Sequence, residues 1–223
     1  MSLMRIGIQS MIFFGCLSIL AQVPAHAGPV QRPTVAKEAE IVAVQGDGWI
    51  QFVREKGWVD AVREQTLASG DFIRTGNYGM MSLLFIDDSQ IKIHNRTTLL
   101  IKEVRKPGDK AGTVLRLESG EVWSRAKSAP ESLRIETPSA TAAIRGTEWD
   151  IVVDEKGTSY LTVLRGSVEI YNDFGRVMVN PGEQATTEIG KPPVKTSLVR
   201  PKDRVQWVVS YPANIAGLVR FHP

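Results

Sequence analysis

From residue 40 onward, this chain places a glycine just ahead of one short apolar segment after another, and that habit constrains its fold more than any other feature. Ser69-Gly70-Asp71-Phe72-Ile73 is repeated in kind by Ser119-Gly120-Glu121-Val122-Trp123. Ile144-Arg145-Gly146-Thr147 is matched by Leu164-Arg165-Gly166-Ser167, and Pro181-Gly182-Glu183 is a further variant. Glycine takes a positive φ at little steric cost, so each reads as a corner before a new strand. The segments between the corners alternate apolar and polar residues, the period of a half-buried strand. Val114-Leu115-Arg116-Leu117-Glu118, Leu133-Arg134-Ile135-Glu136 and Ser167-Val168-Glu169-Ile170 are of this kind. Strands are also expected at Ile41–Val44, Trp49–Val53, Trp58–Val62, Asp71–Arg74, Trp149–Val153 and Val177–Val179. Met80–Ile86 and Gln90–His94 read as a hairpin about Asp87-Asp88-Ser89. No long stretch has helical periodicity. The expected fold is all-β: a sandwich, a jelly roll or a β-solenoid-like stack of short strands. The irregular spacing between units leaves all three open.

The chain divides into residues 1–27 as a signal peptide, 28–39 as a lead-in, 40–188 as the β domain, and 189–223 as a proline-containing linker and C-terminal tail. Met1–Arg5 carries one positive charge, Ile6–Leu20 is mostly apolar, and Ala25-His26-Ala27 is the small-x-small pattern of a cleavage site. Cleavage is expected between Ala27 and Gly28. The apolar run is shorter than the ~20 residues a spanning helix needs, so the chain would touch membrane only if this segment were retained. The address implied is the periplasm, or another exported place in the cell envelope. Cys16, the one cysteine, lies in the apolar run, so a cleaved chain must rely on its core rather than on disulfides. Gly28–Lys37 reads as extended, Glu103–Lys110 as a polar surface loop and Ile189–Pro201 as a linker. Beyond it Asp203 is expected to cap a short helix carrying Val205, Val208 and Val209 and stopped by Pro212.

The chemistry of the sequence points away from an enzyme. The net charge is +3, with bases and acids mixed along the chain and no basic stripe, which speaks against nucleic acid as a partner. His94 and His222 are the histidines beyond the signal segment. Neither has a zinc-like partner spacing, and His94 falls on the polar phase of a strand, where a solvated side chain is expected. No Gly-x-Ser-x-Gly elbow, phosphate loop or dinucleotide motif occurs. Asp71 and the Asp87-Asp88 pair read as turn residues. No catalytic, cofactor-binding or metal residue is therefore assigned. Arg145 and Arg165 occupy equivalent places in the two Arg-Gly units. They face a partner or, the favoured reading, hold neighbouring carboxylates or carbonyls while Gly146 and Gly166 turn the corner. Thr137-Pro138 sets an extended bend, and Ala140, Ala142 and Ala143 allow close approach of another layer. Trp123 and Trp149, like Trp49, Trp58 and Trp207, are either stacking platforms for a glycan or packing residues.

The run Glu136-Thr137-Pro138-Ser139-Ala140-Thr141-Ala142-Ala143-Ile144-Arg145-Gly146-Thr147-Glu148-Trp149 resembles the signature of the FecR-domain family. Gly70-Asp71-Phe72-Ile73-Arg74-Thr75-Gly76, Leu117-Glu118-Ser119-Gly120-Glu121-Val122-Trp123, Val163–Val168 and Pro181–Gln184 resemble its other motifs, in order, over about Ile41 to Thr186. The resemblance implies a periplasmic, non-enzymatic interaction module whose motif residues, Gly70, Gly120, Thr137, Pro138, Arg145, Gly146, Thr147 and Gly166, are structural. Its partner would be an envelope protein or, alternatively, glycan or peptidoglycan. By resemblance alone, an accessory role in iron-responsive signalling is a third expectation. Two departures stand out. Asp88 occupies a turn position where the family favours glycine, and only Met1–Arg5 precede the apolar segment, which argues against a cytoplasmic anti-sigma segment. The tail Pro201–Trp207 with Tyr211-Pro212 resembles the junction of members that continue into helical repeats.

Overall fold

A computed structural model describes residues 37–105, 112–125, 133–198 and 200–210. The expected signal segment with Ala27 and Gly28, Cys16, the lead-in before Lys37, Pro212 and His222 lie outside the described residues.

The strands form one continuous hydrogen-bonded sheet folded back on itself into two facing layers. Across the first layer run β4 (Thr66–Leu67), β1 (Ala39–Gln45), β6 (Met80–Phe85) and β7 (Gln90–Ile93). There follow the second half of β9 (Thr113–Arg125), the second half of β11 (Thr141–Val153), the first half of β12 (Ser159–Asn172), β14 (Glu183–Thr187) and β15 (Val194–Ser197). Across the second layer run β3 (Val59–Asp60), β2 (Gly48–Gln51), β5 (Phe72–Thr75) and β8 (Thr98–Glu103). The first half of β9, β10 (Leu133–Glu136), the first half of β11, the second half of β12 and β13 (Gly175–Val179) complete it. Every pairing is antiparallel except β9 with β10.

The glycines make this possible. β9, β11 and β12 each cross from one layer to the other at a single glycine: Gly120 (φ +95), Gly146 (φ +59) and Gly166 (φ +78). At Gly120 a Cβ would stand 2.3 Å from Thr97 Oγ1 and 2.4 Å from Thr97 Cα. Both the backbone conformation and the space there exclude a side chain. Gly46, Gly70 and Gly182 turn the chain between layers in the same manner. The crossing from β7 to β8 instead uses Arg96 (φ +51), tied by its N–H to Gly76 O at 3.0 Å and by Nε to Asn77 Oδ1 at 3.0 Å. Asp88 takes φ +62 in the β6–β7 hairpin. The departure from glycine there is absorbed because aspartate tolerates the left-handed region better than most residues.

Between the layers the inward phase of every strand packs into one core. Ile41, Leu83, Ile91, Val122, Ile151 and Leu161 come from the first layer, and Ile50, Ile73, Leu99, Leu117, Ile135 and Ile170 from the second. Each such side chain contributes about 1.5–3 kcal/mol on leaving water. The buried carboxylate of Asp71 ties the first corner, accepting the N–H groups of Val53 and Ala68, both at 2.9 Å.

The all-β architecture with a short helical tail is as the sequence implies. Two local readings are corrected. Residues 189–201 are not only linker: Val194–Ser197 pairs antiparallel with β14 as the last strand of its layer. Asp203 does not cap a helix. Pro201–Val205 is a 3-10 turn without a side-chain cap, with Pro201 at its start and Asp203 in its first turn, and it runs into α1 (Gln206–Ser210). Proline's preset φ initiates the turn in place of a capping oxygen.

Candidate functional site

The motif residues build corners. Thr137 Oγ1 donates to Ala140 O at 2.9 Å, accepts Ala140 N–H at 3.0 Å and accepts Ser159 Oγ–H at 2.7 Å. Ser139 Oγ lies 2.7 Å from Ser159 Oγ, and Asn172 Nδ2 donates to Ser139 O at 3.0 Å. The Thr137-Pro138 turn is thus pinned to β12 on all sides, and the small residues Ala140 and Ala142 are buried behind it. Thr147 is buried against the next corner, where a Cβ on Gly166 would come 2.4 Å from its Cγ2. Arg145 and Arg165 each precede a corner glycine on adjacent strands. The Arg165 side chain is exposed, opposite Glu148 in register, and Glu148 pairs with Arg125 at 3.0 Å. The side chain of Arg145 lies outside the described part.

Neither tryptophan singled out for ligand stacking offers a free ring. Trp149 is wholly buried in the core. It points inward because it stands opposite Val163 and Ser124, both on the inner phase. Trp123 points outward from the first layer, but the C-terminal tail lies across it. Val205 and Val208 bury it, with Leu164 and Trp207 packed around them. Lys92 Nζ donates to Val208 O at 2.9 Å and stands 5.6 Å from the Trp123 ring centroid, and Arg125 Cζ lies 5.3 Å from that centroid. His94 is not a free solvated side chain. Its Nδ1 meets Glu121 Oε2 at 3.0 Å, and its ring lies 4.5 Å from that of Trp207 on the tail.

Asp150 stands directly opposite Trp123, with Glu121 on the neighbouring diagonal of the same outer face. Under the tail it is 2% exposed, and its Oδ1 has no hydrogen-bond partner among the described residues. Burial first, then the charge of Glu121, push its carboxyl well above the usual range. Arg204 on the tail opposes that rise, and a hydrogen bond with Glu121 adds to it. The Lys92 ammonium is held below its ordinary value by burial and by Arg125. This strapped face holds Asp150, the one group of the described chain whose carboxyl is pushed well above its usual range. No three His, Cys, Asp or Glu among the described residues are grouped to hold a metal ion.

The outer face of the second layer differs. Among the described residues no element lies over it. One row runs Asp60–Trp49–Arg74–Thr98 across β3, β2, β5 and β8. A second runs Gln51–Phe72–Leu100–Arg116–Glu136. Arg74, Arg116 and Arg134 are exposed, and Trp49, Trp58 and Phe72 half-buried. Arg74 Cζ sits 4.4 Å over the Trp58 ring. Sequence reasoning named Trp49 and Trp58 only in passing. The signal for them was their phase, since Trp49 alternates with buried Ile50 and Arg74 with buried Ile73. Nothing local marked Asp150 or Glu121: the tail covers Asp150, and Glu121 pairs with His94 just past β7.

These features define an all-β two-layer domain whose recurrent motif residues turn corners and whose two outer faces differ, one strapped by the tail and one with no element over it among the described residues. The FecR protein family model matches residues 71–169, so that stretch of the chain corresponds to a FecR domain. No curated protein matches the sequence. Among solved structures, a Parabacteroides distasonis protein provisionally assigned as an anti-sigma factor is similar at a TM-score of 0.51 and 15% identity, over 61% of this chain and 64% of that one. A second structure so assigned, from the same organism, has a TM-score of 0.48 and 14% identity over 57% and 59%. The chain thus spans less than two thirds of either, and the first likeness speaks for the fold.

Proposed function

We propose that this chain is an exported, non-enzymatic interaction module of the cell envelope, acting in the periplasm, whose FecR domain recognises an envelope protein. The observation that carries this reading is the last strand of the first layer. Among the described residues β15 pairs only with β14, and it is exposed along its length. Its Lys195, the residue type that usually guards an edge, is drawn back to Glu183 at 3.0 Å and to Met178 O at 3.2 Å. Around it Phe174, Met178, Ile189 and Val194 are all exposed. An open edge rimmed by apolar side chains suits a partner that adds an extended strand. The test is a pull-down from envelope extract with the wild-type chain and a Met178→Glu/Val194→Glu variant. A reproducible partner lost in the variant supports the reading, and no reproducible partner refutes it. A second reading, glycan binding, is favoured by the uncovered Trp49, Trp58 and Arg74 on the other layer.

A further inference from the structure

We infer that Trp49, Trp58, Asp60 and Arg74, on the outer face of the second layer, form a binding site for a carboxylate-bearing saccharide. The inference deepens the second reading above and is independent of the β15 edge. Trp49 stands in register between Asp60 on β3 and Arg74 on β5, and Trp58 immediately precedes β3. The four side chains therefore share one surface at the β3 end of the layer.

Arg74 determines the ligand's chemistry. Its guanidinium is stacked over Trp58 at 4.4 Å, and among the described residues it makes no ion pair or side-chain hydrogen bond. Stacking holds the planar fork in one orientation before any ligand arrives, so little further ordering is needed on binding. Its N–H donors then remain for a carboxylate, whose two oxygens match the fork bidentately. A sulfate-like or neutral group would use that geometry less fully. Lysine, a point charge, could not reproduce it.

The surroundings favour a sugar over a protein. A protein hot spot needs a dry apolar centre shielded by a rim. Here the half-buried indoles alternate with Asp60, Gln51 and Arg74, and Val53 just past β2 is the exposed aliphatic side chain nearest them; Met178 on β13, Val194 on β15 and Ile189 in the turn between β14 and β15 lie at the far end of the stack. An indole is an apolar plate suited to the C–H face of a pyranose, and Asp60 and Gln51 supply acceptors and donors for its hydroxyls. A Cβ on Gly76, in the turn that follows β5, would lie 3.3 Å from Trp49 Cη2, so the turn abuts the indole.

Purified full-length protein would be titrated calorimetrically with oligogalacturonate, with a neutral galacto-oligosaccharide of equal length, and with poly-glutamate. We expect oligogalacturonate to bind and to shift tryptophan fluorescence, with the neutral sugar and poly-glutamate weaker by about tenfold or more. Arg74→Lys should weaken uronate binding by about tenfold while leaving the thermal midpoint unchanged, since the lost bidentate bond is with ligand only. Trp58→Leu, which removes the plate holding the guanidinium, should weaken uronate binding likewise. No uronate binding at millimolar concentration, or equal binding by wild type and Arg74→Lys, overturns the inference. Poly-glutamate binding as tightly as uronate overturns it in favour of an acidic protein partner. All these outcomes leave the β15 pull-down unaffected, so the two readings fail separately.

Discussion

Asp150→Asn is the substitution that most directly probes the strapped face. A carboxyl that is 2% exposed, beside Glu121, with one oxygen unbonded, is tolerable while it carries its proton and costly once it does not. Its pKa is raised in the folded chain, so folding takes up a proton at this site. Its contribution is then whole below the unfolded value of about 3.9 and is lost as pH rises through the raised folded value. Inside that window this single group makes stability fall by about 1.4 kcal/mol per pH unit. Asparagine keeps the shape, can donate to Glu121 and has no proton to lose. Asp150→Asn should therefore remove that share of the slope, losing about 1 kcal/mol or less at pH 4 and gaining on the wild type steadily as pH rises. Urea unfolding followed by tryptophan fluorescence, repeated from pH 4 to pH 9, measures this directly, because Trp123 lies opposite residue 150. Parallel curves for the two proteins would refute the reasoning, as would a variant destabilised by a constant amount at every pH.

Other outcomes follow from the same packing. Gly120→Ala forces a Cβ against Thr97 at a φ of +95 and should cost about 2–4 kcal/mol, read as a fall in the urea midpoint. Asp71→Ala leaves the N–H groups of Val53 and Ala68 without their buried acceptor and should cost about 2–4 kcal/mol by the same assay. Ending the chain at Leu198 uncovers Trp123 and removes the cover of Val205 and Val208. It should raise dye binding to exposed apolar surface, lower stability by about 2–5 kcal/mol and flatten the pH slope attributed to Asp150.

Much of this architecture was legible in the residue order. Alternation in segments such as Leu115–Leu117 and Leu133–Ile135 placed strands correctly, because a residue's phase within a strand decides its face before any partner is known. Gly120 and Gly166 read as corners because a positive φ excludes most other residues wherever the chain lies. The Thr137–Ala140 turn was legible for a similar reason: Thr137 closes it locally, its hydroxyl bonding both the N–H and the carbonyl of Ala140.

What no local pattern could decide was which outward faces remain open. Trp49 and Trp123 are both tryptophans on the outward phase of a strand. Trp123 is buried because residues some eighty positions later come back across it, and Trp49 stays half-exposed because no described element does. The same distance hid Asp150, whose pKa is raised by burial under a tail that also brings Arg204 to oppose the rise. It also hid the β15 edge, where Val194–Ser197 looks like linker until β14 offers a free side to pair with. Phase and turn chemistry are properties of a few neighbouring residues, and the sequence carries them by itself. Cover, edge and electrostatic environment are properties of distant segments brought together, and only the tertiary structure decides them.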